Sequence, residues 1–559
     1  MWISREQQAR DEVGVTKIHP TAATLFVSFF LLMLSGVFVV DHLVEWNRLG
    51  KDASLSALSS LEGVGSLQVV ISEMRQQDFK ASSWITANRK VLAHIHEIED
   101  TIEEQGAVAA WLRPWSQSGL LFFGVGNEKV YPGKESWLFY RPDIDYITGA
   151  GFLDPLQLQQ RVDQTVEWET PPQPDPLPAL IDLHQQLADR GIKLLLVPVP
   201  VKPEIMAKQF TSRLNDAQVI QNSSYKLFVN QLTEAGVWVA DVAAWLDEYK
   251  EETKKSPFLQ TDTHWTPSAM QWVTRMVSKE LNQQISWSGG VPLQKTTEIP
   301  VTNQGDIAAM LDLYSPYPSE TVSTLQVTYA DGSIWKANEA AEVLVLGDSF
   351  TNIFSLDAMG WGESGGFVEH LSYRLDQPID RIVRNDQGSF ATRQILSREL
   401  ARGRDRLAGK KVVVYQFASR ELMFGDWPCF PLELKLPPPS NFLSLASSEL
   451  KQVTGVVREV SKVPRPGSVP YRDHVVSIHL VDITTKENPE LFSQAVVFLQ
   501  SMTNNVWERA ARLRAGDEIH LKLRSWNDMA REKDGLNRSE LDSLDLQLQE
   551  PVWGELLEE

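Results

Sequence analysis

Apolar and polar positions divide the chain into segments of distinct character. From Thr21 to Val40 the sequence TAATLFVSFFLLMLSGVFVV carries no charge. About 20 residues at 1.5 Å each cross a hydrocarbon core of ~30 Å, so the run predicts a transmembrane helix. Cleaved signal peptides have shorter apolar regions followed by an A-x-A-like site, which is missing before Asp41, so an uncleaved signal-anchor is expected. Arg5, Arg10 and Lys17 precede the span, while Arg48 and Lys51 follow it. Their balance places residues 1–20 in the cytoplasm and the remainder outside it. Residues 41–124 read as a helical stalk, with Leu61, Val64, Leu67, Val70 and Ile71, then Leu92, Ile95 and Ile98, at three- and four-residue spacing.

The pattern changes after the turn-rich YPGKESWLFYRPDIDYITGAGF (131–152) and the Pro-rich PPQPDPLP (171–178). Short apolar, β-branched runs predict strands at Ile192–Pro200, Val237–Val242, Val343–Gly347, Ile379–Asn385 and Val412–Phe417. Amphipathic helices are expected at Leu177–Asp189, Val219–Glu234, Pro267–Asn282 and Ala391–Leu407. Strands alternating with longer helices imply an α/β domain over residues 125–433, a doubly wound parallel sheet covered on both faces. Ligands bind such sheets outside the carboxyl ends of the strands. Beyond LKLPPPS (434–440), alternating runs at Val453–Val460, Val475–Leu480 and Glu518–Leu523 predict a small β-rich domain over residues 440–559. A barrel of the oligonucleotide/oligosaccharide-binding type is the expected form.

Composition narrows the function. Fifty-three Lys+Arg against 73 Asp+Glu give the 559-residue chain a net charge of -20. That field repels phosphate backbones and argues against nucleic acid as a partner. An acidic polysaccharide is repelled as well, unless a local basic patch overrides the sign. The single cysteine, Cys429, has no disulfide partner and no companion thiols for zinc, and reads as a small buried hydrophobe.

Two motifs carry chemistry. Val343–Phe350 (VLVLGDSF) is a buried-strand pattern that stops at Gly-Asp and presents Ser349 at the strand's carboxyl end. A nucleophile is useful there, although Asp and Ser also make ordinary helix N-caps. In Thr261–Pro267 (TDTHWTP), Asp262 and His264 project from one extended segment ahead of a helix with Pro in its first turn. A carboxylate on one ring nitrogen and a substrate on the other make an oriented base, which a serine alcohol needs at neutral pH. The alternative is a structural Asp and a capping His. No second histidine is near, so no metal site is expected on His264. No cofactor is implied either. Other rim candidates are Asn385 and Tyr415 as oxyanion donors beside the Ser349 N–H, and Lys202 and Arg420 as holders of an acidic sugar. Their plainer readings are a turn asparagine, a strand aromatic and solvated loop charges.

Together with YPGKESWLFYRPDIDYITGAGF and LLLVPVPVKPEI, these motifs resemble the alginate O-acetyltransferase family of the AlgJ/AlgX type over about residues 125–430. The resemblance implies an SGNH-hydrolase-like fold, with Ser349 as nucleophile, His264 as general base and acid, and Asp262 as the orienting carboxylate. It further implies a single-pass inner-membrane protein whose catalytic domain lies in the periplasm. The polysaccharide would be the substrate, and a membrane-bound O-acyltransferase would supply the acetyl group. A carbohydrate acetylesterase using the same residues, or a non-catalytic scaffold of an export complex, would share these features. The stalk and the C-terminal region depart from the family pattern and leave the identity of the polymer open.

Overall fold

The computed structural model describes residues 19–31, 36, 40, 107–164, 171–211, 219–290, 293–385, 390–436, 442–464, 466, 469, 471–485, 494–533, 535–541 and 543–557. Its compact units are Met1–Gly119 with Val166–Thr170, and Leu120–Thr165 with Pro171–Glu559. In the first, residues 20–31 are helical. Among the described residues no helix is long and apolar enough to cross a membrane. Residues 32–35 and 37–39 of the expected span, and 41–106 of the expected stalk, lie outside the described residues.

The second unit is built on a five-stranded parallel sheet. Its strands are β1 (Lys193–Val199), β2 (Trp238–Val239), β3 (Val343–Gly347), β4 (Asp380–Val383) and β5 (Val412–Ala418), in the order β2-β1-β5-β3-β4. Strand residues alternate between faces, so the sheet feeds two cores. Leu195, Val197, Val345, Val412 and Val414 share one with Met270, Val273 and Val277 of α3 (Pro267–Gln284) and with Phe367, Val368 and Leu371 of α4 (Phe367–Leu375). Leu194, Leu196, Leu344, Leu346 and Val413 share the other. There they meet Leu180 and Leu183 of α1 (Pro176–Ala188), Phe228 of α2 (Tyr225–Glu234) and Leu396 of α5 (Ala391–Ala401). Helices on both faces of an all-parallel sheet make the doubly wound α/β architecture.

Several expected elements are shorter in the structure. Helix α2 starts at Tyr225 rather than Val219, because the Asn222 side chain bonds Tyr146 O (2.7 Å) and accepts the Ser224 N–H (3.0 Å), competing with helical bonding. Helix α5 ends at Ala401, two residues before Gly403 at φ 85°. Cys429 is exposed, correcting its reading as a buried hydrophobe. The antiparallel pair Leu293–Asn303 and Glu320–Tyr329 has no counterpart in the expected elements.

The C-terminal region is a β-barrel. Its strands are β6 (Leu450–Val460), β7 (His474–Thr485), β8 (Gln494–Thr503), β9 (Glu518–Ser525) and β10 (Val552–Leu556), which close in the circuit β6-β7-β8-β10-β9-β6, with β8 and β10 parallel. Val457, Val476, Ile478, Val497, Leu499 and Leu521 fill the interior. In oligomer-binding barrels the outer face of the second and third strands takes the ligand. Here Val475, Val496 and Phe498 on that face are buried with Trp526, Leu536, Leu541, Leu546 and Trp553 of the same chain.

Candidate active site

Strand β3 ends in a turn that only glycine permits at position 347, where a Cβ would collide with the Thr351 side chain. Asp348 caps the short helix Ser349–Asn352, its Oδ1 accepting the Phe350 N–H at 2.9 Å. Its Oδ2 accepts the Ala418 N–H at 2.7 Å, tying the turn to the end of β5. Gln416 completes the clamp, its Oε1 accepting the Asp348 N–H at 3.2 Å and the Thr351 hydroxyl. Ser349 therefore stands at the carboxyl ends of the strands, and its N–H, at the start of a helix, has no intrahelical acceptor.

The other motif reaches the same place. A bridge pairs Phe258 with Trp265, the Leu259 N–H donates to His264 O (3.0 Å), and Thr266 caps α3. Trp265 Nε1 donates to Phe350 O at 3.1 Å, linking the two motifs directly. His264 Nε2 is 2.8 Å from Ser349 Oγ, and His264 Nδ1 is 2.6 Å from Asp262 Oδ1. Asp262 Oδ1 also accepts the His264 N–H at 3.1 Å. Its Oδ2 accepts Trp361 Nε1–H at 2.8 Å and the Asp306 N–H at 3.0 Å. Asp262 and His264 are 1% exposed and Ser349 7%.

Electrostatics follow from this packing. Burial alone would raise Asp262, but the His264 charge and the bonds from His264, Trp361 and the Asp306 N–H hold it well below the usual carboxylate range. Burial would lower His264, yet the Asp262 charge and hydrogen bond, with Asp306, raise it overall. Asp306 is pushed up to about 6 by burial and by the Asp262 charge. Asp262, His264 and Asp306 each offer a metal-ligand atom within 4.8 Å of the others. Both carboxylates, however, already accept N–H or O–H donors on each oxygen, from His264, Trp361, Thr263 and the Asp306 backbone. That donor set suits a hydrogen-bonded network better than a cation.

The remaining expected residues divide. Asn385 follows β4, and its Oδ1 accepts Asn352 Nδ2–H at 3.1 Å, while its own buried Nδ2 has no partner among the described residues. Tyr415 is 1% exposed and lies with Val413, Phe417 and Trp427 in the core on the sheet face opposite His264, which corrects its reading as an oxyanion donor. Strand alternation puts its neighbour Gln416 toward the turn instead. Lys202 is 0% exposed, and its Nζ donates to Leu138 O (2.9 Å) and Gln260 O (3.4 Å). Burial lowers it to about 8, which corrects the reading of a solvent-facing sugar contact. The Arg420 guanidinium pairs with Asp143 at 3.1 Å and lies over the Tyr140 and Phe350 rings at 5.5 and 6.0 Å. Sequence reasoning missed Trp361, Asp306, Asp143 and Gln416. Gln416 lies in the predicted strand VVVYQF and Asp143 in the quoted stretch YPGKESWLFYRPDIDYITGAGF, whereas Trp361 and Asp306 lie in no stretch that the sequence singles out.

Residues 130–419, more than half of the chain, match the family model described as "SGNH hydrolase-like domain, acetyltransferase AlgX", and the chain belongs to this family. Among curated proteins it is 25% identical over 203 residues to the "Probable alginate O-acetylase AlgJ" of Pseudomonas syringae pv. tomato, covering 36% of this chain and 45% of that protein. The protein of the same description from Pseudomonas aeruginosa is 27% identical over 207 residues, covering 36% and 45%. The chain thus spans less than half the length of these relatives. Among solved structures, the O-acetyltransferase domain of Pseudomonas putida AlgJ gives a TM-score of 0.39 at 18% identity, covering 53% of this chain and 93% of that one. Pseudomonas aeruginosa AlgX gives 0.37 at 15%, covering 72% and 91%.

Proposed function

We propose that this protein is an O-acetyltransferase that passes acetyl through Ser349 to hydroxyls of an exported polysaccharide, alginate or a polymer like it. The observation that carries this reading is the hydrogen-bonded line Ser349–His264–Asp262, with spacings of 2.8 and 2.6 Å. Membership of a family described as acetyltransferase, and relatives named as alginate O-acetylases, support the reaction class and the polymer.

Ser349 Oγ attacks the acetyl carbonyl while His264 Nε2 takes its proton, and that proton then goes to the departing donor oxygen. The acyl-enzyme remains. A sugar hydroxyl attacks it, His264 accepts the hydroxyl proton and returns it to Ser349 Oγ, and the acetylated sugar leaves. Asp262 holds Nδ1–H and stabilises the imidazolium formed in each half. The Ser349 N–H and Asn385 Nδ2 are the donors for the oxyanion. Arg420, with its rings of Tyr140 and Phe350, is the cation for an acidic sugar.

The chain works in the periplasm, with Thr21–Val40 as its inner-membrane anchor and a membrane-bound O-acyltransferase as acetyl supplier. The test incubates the chain with an acetyl-ester donor and acidic oligosaccharides and follows products by mass spectrometry. Acetylated sugar is expected, and it should vanish in Ser349→Ala. Free acetate as the only product would replace this reading with an esterase. Undiminished polymer acetylation in cells carrying only Ser349→Ala would replace it with a scaffold.

A further inference from the structure

The fold brings a second carboxylate to the His264 imidazole. Asp306 follows Gly305, whose φ of 87° and 2.5 Å approach of a built Cβ to Thr261 O admit no side chain. Asp306 Oδ2 is 3.8 Å from His264 Nδ1. Thr263 stands between them: its Oγ1 is 3.1 Å from Nδ1 and donates to Asp306 Oδ2 at 2.6 Å, while its N–H donates to Asp306 Oδ1 at 2.7 Å. The other ionisable groups around this pair are Asp262, Lys202, Arg420, Asp143 and Tyr140.

We propose that Asp306 is a positioning residue, a reserve carboxylate that orients His264 through Thr263 whenever the bond to Asp262 is lost. The proposal rests on His264 serving as the base for Ser349. With Asp262 in place, the direct 2.6 Å bond holds Nδ1–H, and Asp306 contributes only negative charge behind the ring. Truncating Asp262 frees Nδ1–H to donate to Thr263 Oγ1, whose own proton already goes to Asp306 Oδ2. That relay, Nδ1–H to Oγ1–H to Oδ2, needs no backbone movement. Removing the neighbouring charge of Asp262 also favours the ionised form of Asp306 that the relay requires. The two carboxylates therefore substitute for one another, and their loss is not additive.

The experiment uses the full chain in detergent, with p-nitrophenyl acetate turnover and fluorophosphonate labelling of Ser349 measured from pH 5.5 to 9. Asp306→Asn alone is expected to cost less than ~3-fold and to move the acid limb to lower pH, since it removes a negative charge beside the imidazolium. In the Asp262→Ala background the same change should cost at least ~10-fold more, and Thr263→Val should reproduce that loss. Equal fold-losses in both backgrounds, with melting temperatures retained, would overturn the proposal. Should the double variant not fold, the acid limb of Asp306→Asn decides, and an unmoved limb overturns it. Labelling of His264→Ala as fast as the parent would remove the base assignment and this proposal together. Slow labelling of His264→Ala with additive carboxylate losses would remove the proposal alone.

Discussion

Asp262 accepts four hydrogen bonds, from the His264 ring and backbone, the Trp361 indole and the Asp306 N–H, and these fix the carboxylate that bonds His264 Nδ1 directly. A hydrogen bond to a buried charge contributes about 1.5–3 kcal/mol. Trp361→Phe keeps the ring and removes the donor, so kcat should fall roughly 10- to 100-fold with KM little changed; steady-state kinetics showing a change in KM alone would sink this role. Because the Asp262 and Asp306 charges raise His264, the ring stays protonated to higher pH than an ordinary histidine. In the proposed mechanism the neutral form accepts the serine proton, so turnover should decline on the acid side at a pH above the ordinary histidine value. Glu204 makes a different prediction. Burial pushes it up to about 8, so from about 4.5 to 8 the native state keeps a proton that the unfolded chain has released, and stability falls as pH rises through that window. Glu204→Gln lacks this dependence, and its melting temperature should gain on the parent's between pH 5 and 8; parallel curves would refute the assignment. Ser349, His264 and Asp262 were legible because their residue types sit in two short stretches beside strand and helix signals. Trp361 and Asp306 were not, because 99 and 44 residues of chain separate them from Asp262 and neither has a local pattern. The expectation for Tyr415 fails because strand alternation turns it into the opposite core, while its neighbour Gln416 faces the turn.

At the level of elements, the site depends on two backbone approaches that a side chain would block. Gly305→Ala introduces both a strain of about 1–3 kcal/mol, since φ 87° with ψ 155° is a region essentially confined to glycine, and a steric clash with Thr261 O of about 1–3 kcal/mol more. A urea midpoint close to the parent's would contradict that reading of the turn. The sheet itself was legible, since β1, β3 and β5 are buried on both faces and so appear as continuous apolar runs. The hairpin of Leu293–Asn303 and Glu320–Tyr329 was not. Its strands are Thr-rich, and the second buries Thr324, Val327 and Thr328 without regular alternation. Helix ends were set by side chains and glycine rather than by periodicity, as Asn222 and Gly403 illustrate.

For the second unit as a whole, the barrel and the parallel-sheet core share buried surface. Tyr471, ahead of β7, and Met502 of β8 belong to the same apolar cluster as Met359, Trp361, Val345 and Val414. The arginines of the α5 end reach in the other direction: Arg402 Nε donates to Leu548 O at 3.1 Å, and Arg404 pairs with Glu550 at 2.6 Å. The outer face of β7 and β8 is covered by the chain's own Trp526, Leu536 and Leu546. Shared core implies shared cooperativity, so calorimetry should give one transition for the sheet core and barrel together. Tyr471→Ala, which opens a cavity in that core, should lower this transition by about 3–5 kcal/mol and leave it single. It should also lower kcat, because Trp361, the donor to Asp262, lies in the same cluster. Two separate transitions in the parent, or a Tyr471→Ala protein whose barrel alone melts early while turnover is unchanged, would show that the barrel is an independent module instead.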